Sequence, residues 1–275
     1  MCIKKIVGAL RAVSGSPHPK NFTSAIIAAA GLSERFGGSV TKQMTPLCGL
    51  PVLVHTLLAY EHAEHIHEIV IVARPDEIPF WDKACKDHSI TKVSRIVAGG
   101  ASRQESVRKG LEAINEKAKF VAIADGARCL ILPEQISDVC KAAYKYKAAT
   151  AAHRSTDTVK IADKNGFIDK TADRNTVWLA QTPQVFRVKL YRAAAYTALK
   201  EGFEGTDDNS LVEHIGHAIR LVECGSQNIK LTNQEDMAIA EGILHKREEI
   251  ARFWENYTDL EDNGAQSSPE EGESE

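Results

Sequence analysis

The chain has 275 residues, is 43% apolar and 26% charged, and carries a formal net charge of −3. That is enough apolar material to close a substantial core, which excludes whole-chain disorder and makes one principal α/β domain the default. The near-neutral balance excludes a global pull toward nucleic acid or an anionic membrane, so any anion binding has to be local.

In chain order, Met1 to Lys20 is basic and lacks acids, and residues 1–21 are expected to form a disordered N-terminal extension. A continuous apolar run from Thr23 to Ala29 predicts a first buried strand. Pro51 can open a helix in which Leu53, Leu57 and Leu58 share a face. Glu68 to Arg74 and Lys92 to Ala98 predict two further strands. Ser102 and Glu105 form a capping-box signature, followed by Val107, Leu111 and Ile114 at helical spacing. Phe120 to Ala124 is a fourth strand, and Ala218 to Val222 a later one. Continuous rather than alternating apolarity marks strands buried on both faces. Their alternation with helices predicts a three-layer αβα, Rossmann-like fold around a mostly parallel sheet, with ligands at the carboxyl ends of the strands.

The stretch from about Ala149 to Leu179 breaks this rhythm. Thr158 to Ile161 and Phe167 to Thr171 flank the turn-forming Asp163, Lys164, Asn165 and Gly166, which predicts a β-hairpin arm leaving the sheet. Thr232 and Glu235 repeat the capping signature before Met237 to Leu244. The domain is therefore read as 22–246, with 247–275 a charged, partly disordered tail. Each apolar run is too short or too often interrupted to cross a bilayer, so neither a membrane nor a nucleic-acid partner is expected. The six cysteines, Cys2, Cys48, Cys85, Cys129, Cys140 and Cys224, include no Cys-x-x-Cys pair and read as free thiols of a cytoplasmic protein.

Candidate chemistry begins after the first strand, at Ala28-Ala29-Ala30-Gly31-Leu32-Ser33-Glu34-Arg35-Phe36 and Lys42-Gln43. Small residues let backbone amides approach a phosphate chain, and two cations seven positions apart can neutralise it. Taken alone, the stretch is neither a P-loop nor a dinucleotide-binding fingerprint, and reads as a surface loop in which Lys42 is exposed. Asp125 ends a buried strand, where an acid needs an ion-pair partner, a helix to cap or a metal. His153, His214 and His217 have no metal-ligand spacing with matching partners, and His55 and His62 could share a helix face, but a surface or core histidine is far commoner than a ligand. Trp178, Tyr191, Tyr144 and Tyr146 read as packing residues.

Taken together with Gly99-Gly100-Ala101-Ser102-Arg103-Gln104-Glu105-Ser106-Val107, Asp125-Gly126-Ala127-Arg128, Asp173-Arg174-Asn175, Thr182-Pro183-Gln184, Gly205-Thr206-Asp207-Asp208 and Asn228-Ile229-Lys230, this loop resembles the 2-C-methyl-D-erythritol 4-phosphate cytidylyltransferases of the non-mevalonate isoprenoid pathway. The order and spacing of these stretches span about Thr23 to Leu244. The resemblance implies magnesium-CTP as nucleotide substrate and a small sugar-alcohol phosphate as acceptor. It implies that Arg35 and Lys42 stabilise transition-state charge, that backbone at Ala29, Ala30, Gly31 and Gly99 wraps the triphosphate, and that Ser106 lies where cytosine is read. Asp125 is implied beside the nucleotide and the sugar phosphate, and is the candidate magnesium ligand. Arg128, Thr158, Thr182, Thr206 and Lys230 are implied at the alcohol phosphate, with Arg174 reaching a neighbouring subunit's site from the arm of a homodimer. Two rivals remain open: cytidylyl transfer to ribitol 5-phosphate, and a non-catalytic nucleotide-binding module of the same fold.

Overall fold

The computed structural model describes residues 20–31 and 41–264, with side chains as far as residue 252. The expectations for residues 1–19, for Arg35 and its loop neighbours, for Cys2 and for residues 265–275 lie outside the described residues.

Strands β1 (Thr23–Ala28), β4 (Glu68–Ala73), β5 (Val93–Ala98) and β6 (Phe120–Asp125) fall where the apolar runs place them. Short β2 (Pro46–Leu47) and β3 (Leu50–Pro51) pair with one another ahead of helix α1 (Val52–His62). The central sheet adds β7 (Ala148–Arg154), β10 (Trp178–Arg187) and β11 (Arg220–Glu223), in the order β11-β7-β10-β6-β1-β4-β5. Every pairing in it is parallel except the two made by β10.

Residue alternation explains the continuous apolarity. Ala25 and Ile27 of β1 and Ile69 and Ile71 of β4 face one cluster, which α1, α2 (Ile78–Asp87) and α4 (Pro133–Tyr146) cover. Ile26, Val70 and Val72 face the other, covered by α3 (Arg103–Ala113), α5 (Val188–Glu201) and α6 (Asp208–His214). Both pleat faces are thus buried, at roughly 1.5–3 kcal/mol per large apolar side chain, and the three layers follow. A third cluster of Leu47, Val52, Ala127, Leu130, Leu231, Met237 and Ala240 joins the base of α7 (Gln234–Gly264) to the segment after β6.

Three local expectations need correction. The arm is shorter than 149–179, because Ala148 to Ala152 form a fully buried central strand and Trp178 to Arg187 its antiparallel neighbour. The protruding part is the exposed pair β8 (Lys160–Ala162) and β9 (Ile168–Thr171), turned by Asp163, whose Oδ1 accepts from Asn165 N and Phe167 N, and by Gly166 at φ +85°. At α3 only half of the capping box forms: Ser102 Oγ accepts from Glu105 N at 3.1 Å, but the Glu105 carboxylate takes the amide of Ala101. The second box is displaced by one residue from Thr232 and Glu235. Asn233 Oδ1 accepts from Asp236 N, and Asp236 Oδ2 accepts from Asn233 N. Beyond residue 246, α7 continues to Gly264, and Arg247 ties it to Leu130 O (2.9 Å) and Gln227 Oε1 (3.1 Å).

Candidate active site

The carboxyl ends of β1, β4, β5 and β6 are laced together by backbone. Gly126 N donates to Ala28 O, Ala29 N to Val72 O and Gly99 N to Ala73 O, each at 2.8–2.9 Å. Ala29 and Ala30 close the end of β1 and Gly31 follows exposed. Glycine is required at position 99: a Cβ there would lie 2.4 Å from the Ala30 Cβ and 3.0 Å from Ser106 Oγ. Ser106, in the first turn of α3, is buried and its Oγ accepts from Gly100 N at 2.9 Å. Small residues therefore bring two strand-end loops into contact, with amides and one hydroxyl at their junction.

Lys42 is not the exposed loop lysine that the sequence suggests. It starts a 3-10 turn, Lys42–Met44, and is only 9% exposed. Its charge is felt by Asp236, whose carboxyl is raised by burial but held below its usual range by bonds from Thr232 and Asn233 and by Lys42. This puts Lys42 near the start of α7, close in sequence to Lys230.

Asp125, paired in register with Ala28, is the centre of the site. Arg103 Nε donates to its Oδ1 at 3.2 Å, Lys230 Nζ lies 2.9 Å from its Oδ2, and Arg128 Nε lies 3.9 Å from the same oxygen. Burial would raise its pKa, but Arg103, Lys230 and Arg128 together hold it at about 2. Arg128 is tied back by Asn228 O at 2.8 Å. Thr182, buried, accepts the Asp125 amide at its Oγ1 (3.1 Å), and Asn228 Nδ2 donates to Thr182 O and Gln181 Oε1. Thr182 thus fixes the backbone under the acid.

Behind Arg103 lies Asp208, 1% exposed, whose Oδ2 is 2.7 Å from Arg103 Nη1. Burial pushes its carboxyl up, against the pull of Arg103. Asp207 caps α6 through Ser210 N and accepts from Gln184 Nε2 at 2.7 Å, while Gln104 bonds both Phe203 O and Gly205 N. Thr206 is exposed on the loop so pinned. Three cations, Arg103, Arg128 and Lys230, face the two carboxylates Asp125 and Asp208. That surplus of positive charge suits an anionic ligand.

The structure therefore brings together Ala29, Ala30, Gly99, Ser106, Asp125, Arg128, Thr182 and Lys230. It does not join Thr158 or Arg174 to them. Both are exposed at the arm, where Arg174 donates to Thr156 O at 3.5 Å. The sequence alone assigns no role to Arg103 or Asp208, and reads Tyr191 as a packing residue. One signal was available: Arg103 opens α3, where the helix dipole disfavours a cation unless an acid faces it. Three of the histidines make local contacts. His55 bonds Leu47 O at 2.7 Å, His153 pairs with Gln181, and His214 pairs with Glu201. Among the described residues no group of three or more His, Cys, Asp or Glu side chains converges as a metal site, and the cysteines are free.

Residues 23–246 match the family described as IspD: 2-C-methyl-D-erythritol 4-phosphate cytidylyltransferase. The chain is 42% identical over 228 residues to the 2-C-methyl-D-erythritol 4-phosphate cytidylyltransferase of Caldanaerobacter subterraneus subsp. tengcongensis, covering 81% of this chain and 99% of that protein. It is 39% identical over 225 residues to the protein of that name from Thermosynechococcus vestitus, covering 82% and 96%. The crystal structure of 4-diphosphocytidyl-2C-methyl-D-erythritol synthase from Anaerococcus prevotii superposes with a TM-score of 0.74 at 32% identity, over 82% of this chain and 96% of that one. With a family match over most of its length and a shared αβα architecture, this chain belongs to the 2-C-methyl-D-erythritol 4-phosphate cytidylyltransferase family.

Proposed function

We propose that the chain transfers the cytidylyl group of CTP to 2-C-methyl-D-erythritol 4-phosphate, giving 4-diphosphocytidyl-2-C-methyl-D-erythritol and pyrophosphate for isoprenoid precursor synthesis. The observation that carries the reading is the gathering of Arg103, Arg128 and Lys230 on Asp125, one strand away from the Ala29-Ala30-Gly31 loop. Two phosphorylated substrates must be held against their mutual repulsion, and fixed cations do this without reorganising during the reaction.

In this reading the triphosphate lies against Ala29, Ala30, Gly31 and Gly99, with cytosine at the Ser106 end. Lys230 and Arg128 hold the alcohol phosphate, supported by Asp125, Thr182 and Thr206. A phosphate oxygen attacks the α-phosphorus in line. A new P–O bond forms as the bond to the bridging oxygen breaks, and pyrophosphate leaves with that oxygen and its electron pair. The family resemblance assigns Arg35 and Lys42 to the charge that builds on the α-phosphoryl oxygens, where fixed cations lower the barrier more than they bind the ground state. The domain is taken as 22–246, in a cytoplasmic protein; no described helix is long and apolar enough to cross a membrane.

Asp125, the carboxylate at the mouth, would be the residue beside a magnesium ion carried in by the nucleotide. Bound there, the ion offsets triphosphate charge. A homodimer through the arm accounts for Thr158 and Arg174, which stand away from their own chain's Asp125, and for Ile161, Phe167 and Ile168, exposed on the arm at 40%, 72% and 65%. Mixing Arg174→Ala with Lys230→Ala protein tests it: subunit exchange restores one intact site per mixed dimer, so activity rises above either variant alone.

Pyrophosphate release from CTP, measured with 2-C-methyl-D-erythritol 4-phosphate and with ribitol 5-phosphate, tests the reaction. A clear preference for ribitol 5-phosphate overturns the acceptor. CTP binding with no release on either acceptor favours a non-catalytic nucleotide-binding module.

A further inference from the structure

Behind Asp125 a polar chain runs through Arg103 to two buried residues, Asp208 and Tyr191, to which the reaction described above gives no role. The Tyr191 hydroxyl donates to Asp208 Oδ1 at 2.5 Å, Asp208 Oδ2 meets Arg103 Nη1 at 2.7 Å, and Arg103 Nε donates to Asp125 Oδ1 at 3.2 Å. Tyr191 and Asp208 are each 1% exposed, whereas the Arg103 side chain is 33% exposed and ends at the mouth. A buried ion pair usually contributes little net stability over an apolar pair of the same volume, because desolvation offsets the attraction. Stability alone is therefore a weak reason for an acid at position 208.

The two oxygens of Asp125 are held unequally. Oδ2 faces Lys230, 41% exposed, and Arg128; Oδ1 faces Arg103. If Lys230 binds the substrate phosphate, it has to give up Oδ2. Arg103 cannot follow it, because Asp208 holds the guanidinium from behind and Tyr191 holds Asp208. The geometry points to Arg103 as a positioning residue, locked by Asp208 and Tyr191, that keeps the Asp125 carboxylate in place while Lys230 turns from it to the substrate phosphate. This rests on the functional reading above.

The test is a double-mutant cycle on the full chain, following pyrophosphate release. Asp208→Asn keeps the shape and removes the charge that locks Arg103. It should lower kcat about tenfold, as loss of an outer partner commonly does, and leave KM for CTP within about twofold. In an Asp125→Asn background the same change should cost less than about twofold, because the residue it acts through is gone. Tyr191→Phe removes only the hydroxyl and should give the same pattern with a smaller factor; it decides the matter if Asp208→Asn does not fold. Equal factors in the two backgrounds, or a change confined to KM for CTP, would overturn the inference while leaving the reaction standing. A wild-type chain that releases no pyrophosphate with either alcohol phosphate removes the reaction and this inference together.

Discussion

Glu68 at the amino end of β4 and Asp125 at the carboxyl end of β6 are both buried acids in neighbouring parts of one sheet, 6% and 9% exposed. Glu68 is answered by neutral donors: the hydroxyls of Ser24 and Ser94 at 2.5 and 2.6 Å and the amide of Asn115 at 2.8 Å. Those bonds tie β1, β4, β5 and the turn after α3 together, and the carboxylate is fully engaged. Asp125 is answered by three cations, one of them on a side chain 41% exposed. The first arrangement is closed and cohesive. The second carries more positive charge than its acids neutralise, and part of it is open to solvent. In a parallel α/β sheet the contrast marks which end is built for stability and which for anionic ligands.

The comparison breaks most readily at Lys230. Lys230→Ala should cut kcat/KM for the alcohol phosphate by about 10²–10³, the scale of losing one preorganised charge contact. The thermal midpoint should barely move, since the side chain is partly exposed; a turnover unchanged within twofold would dissolve the distinction. Glu68→Ala should do the reverse. Three donors lose their acceptor, which should cost about 2–4 kcal/mol in denaturant melts, while turnover per folded molecule stays near wild type.

A third test uses acid. Asp125 has a folded pKa of about 2 against an ordinary aspartate value near 4. Its contribution is therefore present above about pH 4 and is lost as pH falls through 2, up to about 2 kcal/mol in all. Asp125→Asn should flatten the melting-free-energy curve in that window, and an unchanged slope would contradict the ion pairs. The smallest expected effect is Ser102→Ala. Removing the oxygen that accepts Glu105 N should cost about 1 kcal/mol of stability. Because α3 carries Arg103 and Ser106, a slight rise in KM should accompany it.

Much of this was legible beforehand, for reasons that can be named. The apolar runs of β1, β4, β5 and β6 announce strands because they are buried on both faces. Asp125 stands out as an acid at the end of one of them. β7 and β10 were harder to read. Ala148 to Ala152 is built largely from alanine, which carries little strand preference. β10 contains Pro183, which argues against a central strand; the sheet admits it where the register shifts between Ala180 and Gln184. Lys42 reads as exposed from the sequence because local composition says nothing of α7 packing close by.

What the sequence by itself determined is periodic and local: which runs are strands, which faces of the helices are apolar, and that basic residues lie near strand ends. What only the tertiary structure decided is which polar groups meet. Arg103 finds Asp125 22 positions away, Arg128 finds Asn228 100 positions away, and Tyr191 finds Asp208 in another helix. Hydrophobic periodicity records whether a residue faces the core, since burial acts on each side chain separately. A polar contact depends on two groups at once, and their meeting is set by how the helices and loops stack on the sheet.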